Sequence, residues 1–293
     1  VTSQLIDAHV HLYPPEAGRD PAAWAAGRHE PHWAALCARR RRDGSPVQFF
    51  PTVDELLRDM DAAGVEKSVL LGWYWENPAT CAVQNRFYAE CVRAHPDRLA
   101  AFATVHPAAG TAALDEIHRA RGEGLIGLGE LSPHSQKVAP EDPTWLAILR
   151  LAGELRLPVN LHVTDPRSRR FPGWVETPLS DFISLAREFP ATTFILAHWG
   201  GSLAFDSENR ALQNVFYDTA ASPLLYDESA WSRGLGAVGA ERILFGSDIP
   251  LRLYPWSDAG TGWTKFVAEM RSAALGESRA PIEAANARRL LRF

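Results

Sequence analysis

Eight short runs rich in valine, isoleucine, leucine and phenylalanine recur along this chain, and longer amphipathic stretches separate them. The runs occupy 5–9, 68–72, 99–105, 125–131, 159–163, 193–199, 215–219 and 243–248. All have strand length. The intervening segments carry helix signals, such as the capping box from Thr52 to Glu55 that opens a helix stopping at Gly64. Further helices are expected over 78–94, 111–121, 143–156, 178–189, 201–212, 223–235, 264–275 and 281–291. From strand end to strand end the intervals are 63, 33, 25, 32, 36, 20 and 30 residues. All but the first fit one strand, one helix and two short loops. The series predicts a parallel (β/α)8 barrel in a single domain over 1–293. The long first interval holds an insertion, roughly 12–51, rich in Pro, Trp and Arg. It is expected to cover the barrel mouth or to make a subunit contact. An open doubly wound sheet is the rival, but the chain has no P-loop to support it.

Composition narrows the possibilities. With 46% hydrophobic residues and a net charge of −5, the 293 residues are not a disordered chain. A pI near 6.1 supplies no field for nucleic acid. The sequence has no apolar run of about 20 residues for a membrane span. Its N-terminal ten residues lack the form of a signal peptide. Cys37, Cys81 and Cys91 are too scattered for a disulfide framework and read as reduced thiols. A cytoplasmic protein acting on a small molecule, as a monomer or homo-oligomer, is therefore expected.

The ends of the strands carry the chemistry. Alternate residues of a barrel strand point inward, and barrel active sites form at the C-terminal ends. Strand one carries Asp7, His9 and His11 on one side, the two imidazoles about 6.6 Å apart at their Cα atoms. Strand four offers Ile126, Leu128 and Glu130, with Gly127 and Gly129 on the other face. Strand five offers Asn160 and His162, strand six Phe194, Leu196 and His198, and strand eight Leu244, Gly246 and Asp248. In each the ligand-type residue comes last. A lone inward histidine is usually a satisfied core residue. Four imidazoles and two carboxylates at one rim are costly to bury unless a cation satisfies them. The donor types suit Zn, Mn, Fe or Co better than Mg or Ca.

Of the other histidines, His95 and His118 fall away from this rim. His29 and His32 lie in the insertion, and His134 follows strand four, within reach of a substrate. His106 ends strand three on the correct rim, as a substrate contact or a packed loop residue. Arg167, Arg169, Arg170 and Arg252 follow strands five and eight and are candidates to hold a carboxylate.

The chain resembles the amidohydrolase superfamily, in particular the branch of aminocarboxymuconate semialdehyde decarboxylase-like proteins. The matching pieces are Ile6-Asp-Ala-His9-Val-His11, His162, His198-Trp199-Gly200, Gly246-Ser-Asp248-Ile-Pro250 and the closing Asn286-Ala-Arg-Arg-Leu290, in family order over nearly the whole chain. The resemblance implies metal ligation by His9, His11, His162 and Asp248, with His198 as ligand or substrate-polarising group. Many superfamily members bridge two metals with a carboxylated lysine at the end of strand four. Here that position is Glu130, and Lys67, Lys137 and Lys265 all fall elsewhere. Glu130 is the candidate bridge, as in the TatD-like nucleases. One or two divalent ions are expected, with zinc the first choice. In the two-ion version His9, His11 and Asp248 hold one, His162 and His198 the other, and Glu130 touches both.

A zinc-type ion lowers the pKa of its bound water towards about 7. Asp248 would act as ligand and general base, His198 would polarise a carbonyl, and Asp7 is a candidate to orient a ligand from behind. The first expectation is hydrolysis of a C–N or C–O bond in a lactone, cyclic amide, amide or ester, because Glu130 favours a second ion and a bridging hydroxide. The second is a lyase: non-oxidative decarboxylation of an unsaturated or aromatic acid. A binding barrel stapled by a closed metal site and a nuclease are weaker readings, the latter opposed by the acidic pI.

Overall fold

In the computed structural model, which describes residues 5–256 and 260–293, eight parallel strands pair in sequence order. They are β1 (Leu5–Val10), β2 (Val65–Leu70), β3 (Leu99–Ala103), β4 (Gly127–Leu131), β5 (Val159–Leu161), β6 (Phe194–Leu196), β7 (Val215–Asp218) and β8 (Ile243–Leu244). The ring closes where the amide of Ala8 donates to the carbonyl of Phe245 (2.8 Å) and that of His11 to Ile249 (2.7 Å). The (β/α)8 barrel read from the spacing is the architecture found.

Two apolar layers hold it. Inside the ring, Ile6, Ala8, Val69, Ala100, Phe102, Ile195 and Leu244 form one buried cluster, and Ala287 and Leu291 of the helix Asn286–Leu291 join it from below. Outside, Leu5, Val10, Leu128, Leu131, Val159, Leu161, Phe194 and Leu196 pack against helix residues such as Met60, Ile117, Trp145 and Phe182.

These layers correct the alternation assumed for three strands. In β4, Leu128 and Leu131 face the helices, and the inner position opposite Phe102 belongs to Gly127. A register shift against β5 between Leu128 and Leu131 then turns Glu130 inward. In β6, Phe194 and Leu196 face outward and Ile195 inward. His198 regains the interior because the chain leaves the strand in a left-handed turn, with φ of 59° at His198 and 57° at Trp199. In β1, a shift between Asp7 and Val10 brings His9 inward beside Ala8 and leaves Asp7 on the other side. Such irregularities re-aim side chains next to active sites.

Helices α1 (Pro15–Arg19), α2 (Pro21–Arg28) and α3 (Pro31–Cys37) form within the insertion, and α4 (Val53–Ala63) follows behind the expected capping box of Thr52 and Glu55. Helices α5 (Pro78–Ala94), α6 (Thr111–Gly122), α7 (Pro143–Leu155) and α8 (Leu179–Glu188) fall within a residue or so of the expected bounds. The helix expected over 201–212 is instead two 3-10 turns. There Asn209 donates to the carbonyl of Leu203 and Asp206 accepts from the amide of Glu208, so polar side chains take the backbone groups a helix would use. The helix expected over 223–235 is split into Ser222–Leu225 and Ser229–Val238.

The insertion folds over the barrel mouth. Trp24, Trp33 and Tyr13 pack around Trp75 from the loop after β2, and Phe50 packs on Trp33 and Tyr13. The buried carboxylate of Glu30 accepts from the amides of Glu76 (2.7 Å) and Asn77 (3.1 Å). His32 bonds the carbonyl of Gly173 (2.9 Å), and the amide of Phe49 bonds that of Pro250 (3.1 Å). Loops after β2, β5 and β8 are thus all tied to it. The three cysteines are buried and unpaired. Among the described residues no helix is long and apolar enough to cross a membrane.

The inward face of Gly127 leaves room only for the Phe102 ring, whose atoms would stand 2.5 Å from an added Cβ. Gly127→Ala should destabilise the barrel by about 1–3 kcal/mol in chemical denaturation. Adding Phe102→Leu should recover part of that loss.

Candidate metal centre

Five strands deliver His9, His11, Glu130, His162, His198 and Asp248 to one point under the insertion. Glu130 lies at its middle and is about 1% exposed. Its Oε2 faces the first imidazole pair, 3.5 Å from His11 Nε2 and 3.9 Å from His9 Nε2. Its Oε1 faces the second, 2.8 Å from His162 Nδ1 and 3.5 Å from His198 Nε2. Asp248 Oδ1 completes the first group, 3.4 Å from His11 Nε2 and 3.8 Å from His9 Nε2. Two sets of donors, His9–His11–Glu130 and Glu130–His162–His198, each have their atoms within 4.8 Å of one another.

For His9, His11 and His198 the far side of the ring fixes the tautomer. His9 Nδ1 pairs with Asp218 Oδ2 (2.9 Å), His11 Nδ1 with the carbonyl of Leu71 (3.0 Å) and His198 Nδ1 with that of Ala220 (3.1 Å). Each partner is an acceptor, so each Nδ1 carries hydrogen and each Nε2 presents a lone pair to the cluster. His9 Nε2 and His11 Nε2 then face one another at 3.2 Å, and His198 Nε2 faces His162 Nδ1 at 3.2 Å. Lone pairs as close as those of His9 and His11 repel unless a positive charge lies between them. The donor set fits a divalent cation.

The electrostatics say the same. Burial works to raise the pKa of Glu130, yet His162, His11 and His198 hold it well below the carboxylate range. Burial works to lower His11, His198 and His9, yet the surrounding carboxylates raise all three, His11 to about 10 and His198 to about 9. The cluster therefore attracts protons in the places a metal ion takes.

Asp218 escaped the sequence reading, although it ends β7 as the ligands end theirs. Its fully buried carboxylate accepts from His9 Nδ1, Asn160 Nδ2 (2.9 Å) and the amides of His198 (3.2 Å) and Ala220 (3.0 Å). It fills the orienting place considered for Asp7. Asp7 instead accepts from the amides of His9 (3.1 Å) and Ser247 (3.0 Å), and burial pushes its pKa up to about 7. Tyr74 was also missed. Its ring lies 5.1 Å from that of His162 and stacks at 4.4 Å on Trp73, which lies 5.3 Å from His11.

The residues proposed to meet substrate lie farther out. The Nδ1 of His106 accepts from the amide of Ala108 (3.0 Å) and caps a 3-10 turn. His134 pairs with Asp181 of α8 (2.9 Å). Arg167 is exposed on the loop after β5. Arg252 is buried against the insertion, its guanidinium 5.9 Å from the Phe49 ring and its amide bonded to Val47. Trp256, on the loop after β8, is 90% exposed.

A family model described as amidohydrolase matches residues 6–293. No curated protein matches the sequence. Solved structures do match. The 5-carboxyvanillate decarboxylase of Novosphingobium aromaticivorans, complexed with manganese and 4-hydroxy-3-methoxy-5-nitrobenzoic acid, is similar with a TM-score of 0.76 at 16% identity, over 100% of this chain and 97% of that one. The 5-carboxyvanillate decarboxylase LigW of Sphingomonas paucimobilis gives 0.72 at 17% identity, over 100% of both. The 2,6-dihydroxybenzoate decarboxylase of Rhizobium gives 0.68 at 19%, over 99% of both. These findings correct the expectation of hydrolysis. The three structures named, each matched over nearly the whole of this chain, are decarboxylases.

Asp218→Asn should keep the fold but weaken metal binding about 10- to 100-fold in a metal-buffered titration, because the amide no longer holds the His9 ring as a carboxylate does.

Proposed function

Because this chain belongs to the amidohydrolase family, we propose that it is a divalent-metal-dependent lyase that removes carbon dioxide, without oxidation, from a hydroxylated aromatic acid. The observation that carries this reading is its whole-length likeness to decarboxylases of such acids. The aromatic wall of Trp73 and Tyr74 beside the donor cluster supports a planar ring as substrate.

His9, His11, Glu130 and Asp248 would hold the ion, and His162 and His198 with Glu130 offer a second position. Manganese is our first assignment, since an imidazole–carboxylate set suits it and the Novosphingobium decarboxylase carries it. A bound divalent ion would supply positive charge to orient substrate oxygens and to offset charge building on the ring.

The chain's own residues would do the rest. The substrate enters past Asp248 and His162, whose side chains are 13% and 20% exposed against 8% or less for the other four. As the C–CO2 bond breaks, its electron pair stays on the ring carbon, which takes one proton. Asp248 delivers that proton from its carboxyl oxygen, having taken it from the substrate hydroxyl on binding, and solvent returns a proton to that hydroxyl oxygen as the product and carbon dioxide leave. Under the insertion, water is excluded from the ring face, which favours charge neutralisation by this proton.

Purified protein loaded with manganese or zinc should release carbon dioxide from at least one acid in a panel of hydroxybenzoates and carboxyvanillates. Full metal occupancy with no release from any of them would remove the reading. Asp248→Asn should lower turnover about 10²- to 10⁴-fold. Glu130→Gln should reduce the metal content measured by elemental analysis.

A further inference from the structure

The opposite end of the barrel holds a cavity that this chemistry does not use. It has a volume of ≈ 330 Å³ and lies where β5 and β6 begin, between α7 and the helix Asn286–Leu291. Arg156, Arg289 and Arg292 line it together with Leu157, Pro158 and Leu290. Among the described residues lining it none is acidic. No ion pair engages any of the three guanidinium groups among the described residues.

Two of these arginines occupy an unusual backbone position. Arg156 caps the C-terminus of α7 at φ 56°, and Arg292 caps the last helix at φ 61°. Glycine or asparagine usually fills this left-handed place, because a larger side chain crowds the backbone. The third is held in place: Arg289 Nη2 donates to the carbonyl of Glu241 (3.0 Å) and to Asn286 Oδ1 (3.2 Å), which leaves its other donors available. The negative end of a helix dipole accounts for one cation near each terminus. It does not account for three facing one hollow in a chain of net charge −5. All three are exposed to solvent, and together they attract an anion with more than one charge more strongly than a monovalent one.

We propose that this cavity binds a small polyvalent oxyanion on a short organic body. Guanidinium forks match phosphate or carboxylate oxygens in pairs, and Leu157, Pro158 and Leu290 would meet the carbon skeleton. The volume falls at the lower end of the roughly 300–1,000 Å³ typical of small-molecule sites.

Calorimetric titration of the metal-loaded protein with a sugar bisphosphate, and separately with the tricarboxylate tricarballylate, tests this. Saturable binding to the wild type is expected. In the double variant Arg156→Gly, Arg292→Gly it should weaken at least about tenfold. Glycine suits both backbone positions, so this variant should unfold at an equal or higher temperature. Any binding to the metal centre would be common to both proteins and would not distinguish them. The tighter of the two probes identifies the oxyanion as phosphate or carboxylate. No saturable binding of either, or equal affinity in wild type and double variant, would overturn the proposal.

Discussion

Lone pairs crowded around a buried carboxylate are the constraint from which the rest of this structure follows. Each Nε2 of His9, His11 and His198 is left as an acceptor by the hydrogen bond on the other side of its ring. Glu130 adds two more acceptors between them, away from water. Such an arrangement is stable only around positive charge. Asp218 is what makes it rigid. One carboxylate fixes a ligand ring, the Asn160 side chain and the turn that carries His198.

The barrel gives up regularity to build this. A strictly alternating β1, β4 or β6 would place a residue other than the ligand over the centre. Shifts of register in β1 and β4 and a left-handed turn after β6 restore the aim. β1 and β4 shift register towards the ends that carry their ligands, while the pairings among β5, β6, β7 and β8 show no shift. Packing therefore holds the ring, and the irregular ends serve the site.

The same separation helps explain why hydrolase and decarboxylase are hard to tell apart from ligands alone. Both need a cation at a barrel mouth. What surrounds the donor cluster here is a stacked Trp73–Tyr74 pair and a cover formed by the insertion. These suit a flat anionic ring held away from water.

The sequence by itself determined the strand count and order, the position of the insertion, and the residues that would meet at the centre. Apolar runs of fixed length bounded by turns allow few arrangements, and ligand-type residues at strand ends stand out against them. Only the tertiary structure decided which face each ligand strand turns inward near its end. Alternation counted from Phe194, Leu196 and Leu128 put those side chains inside the ring, but they pack on the helices. A register shift leaves no mark in residue order, because it comes from pairing with a neighbouring strand distant in sequence. Asp218 went unassigned for the same reason. One more acid at a strand end says nothing of its role until the imidazole it holds, 209 residues away in sequence, is seen beside it.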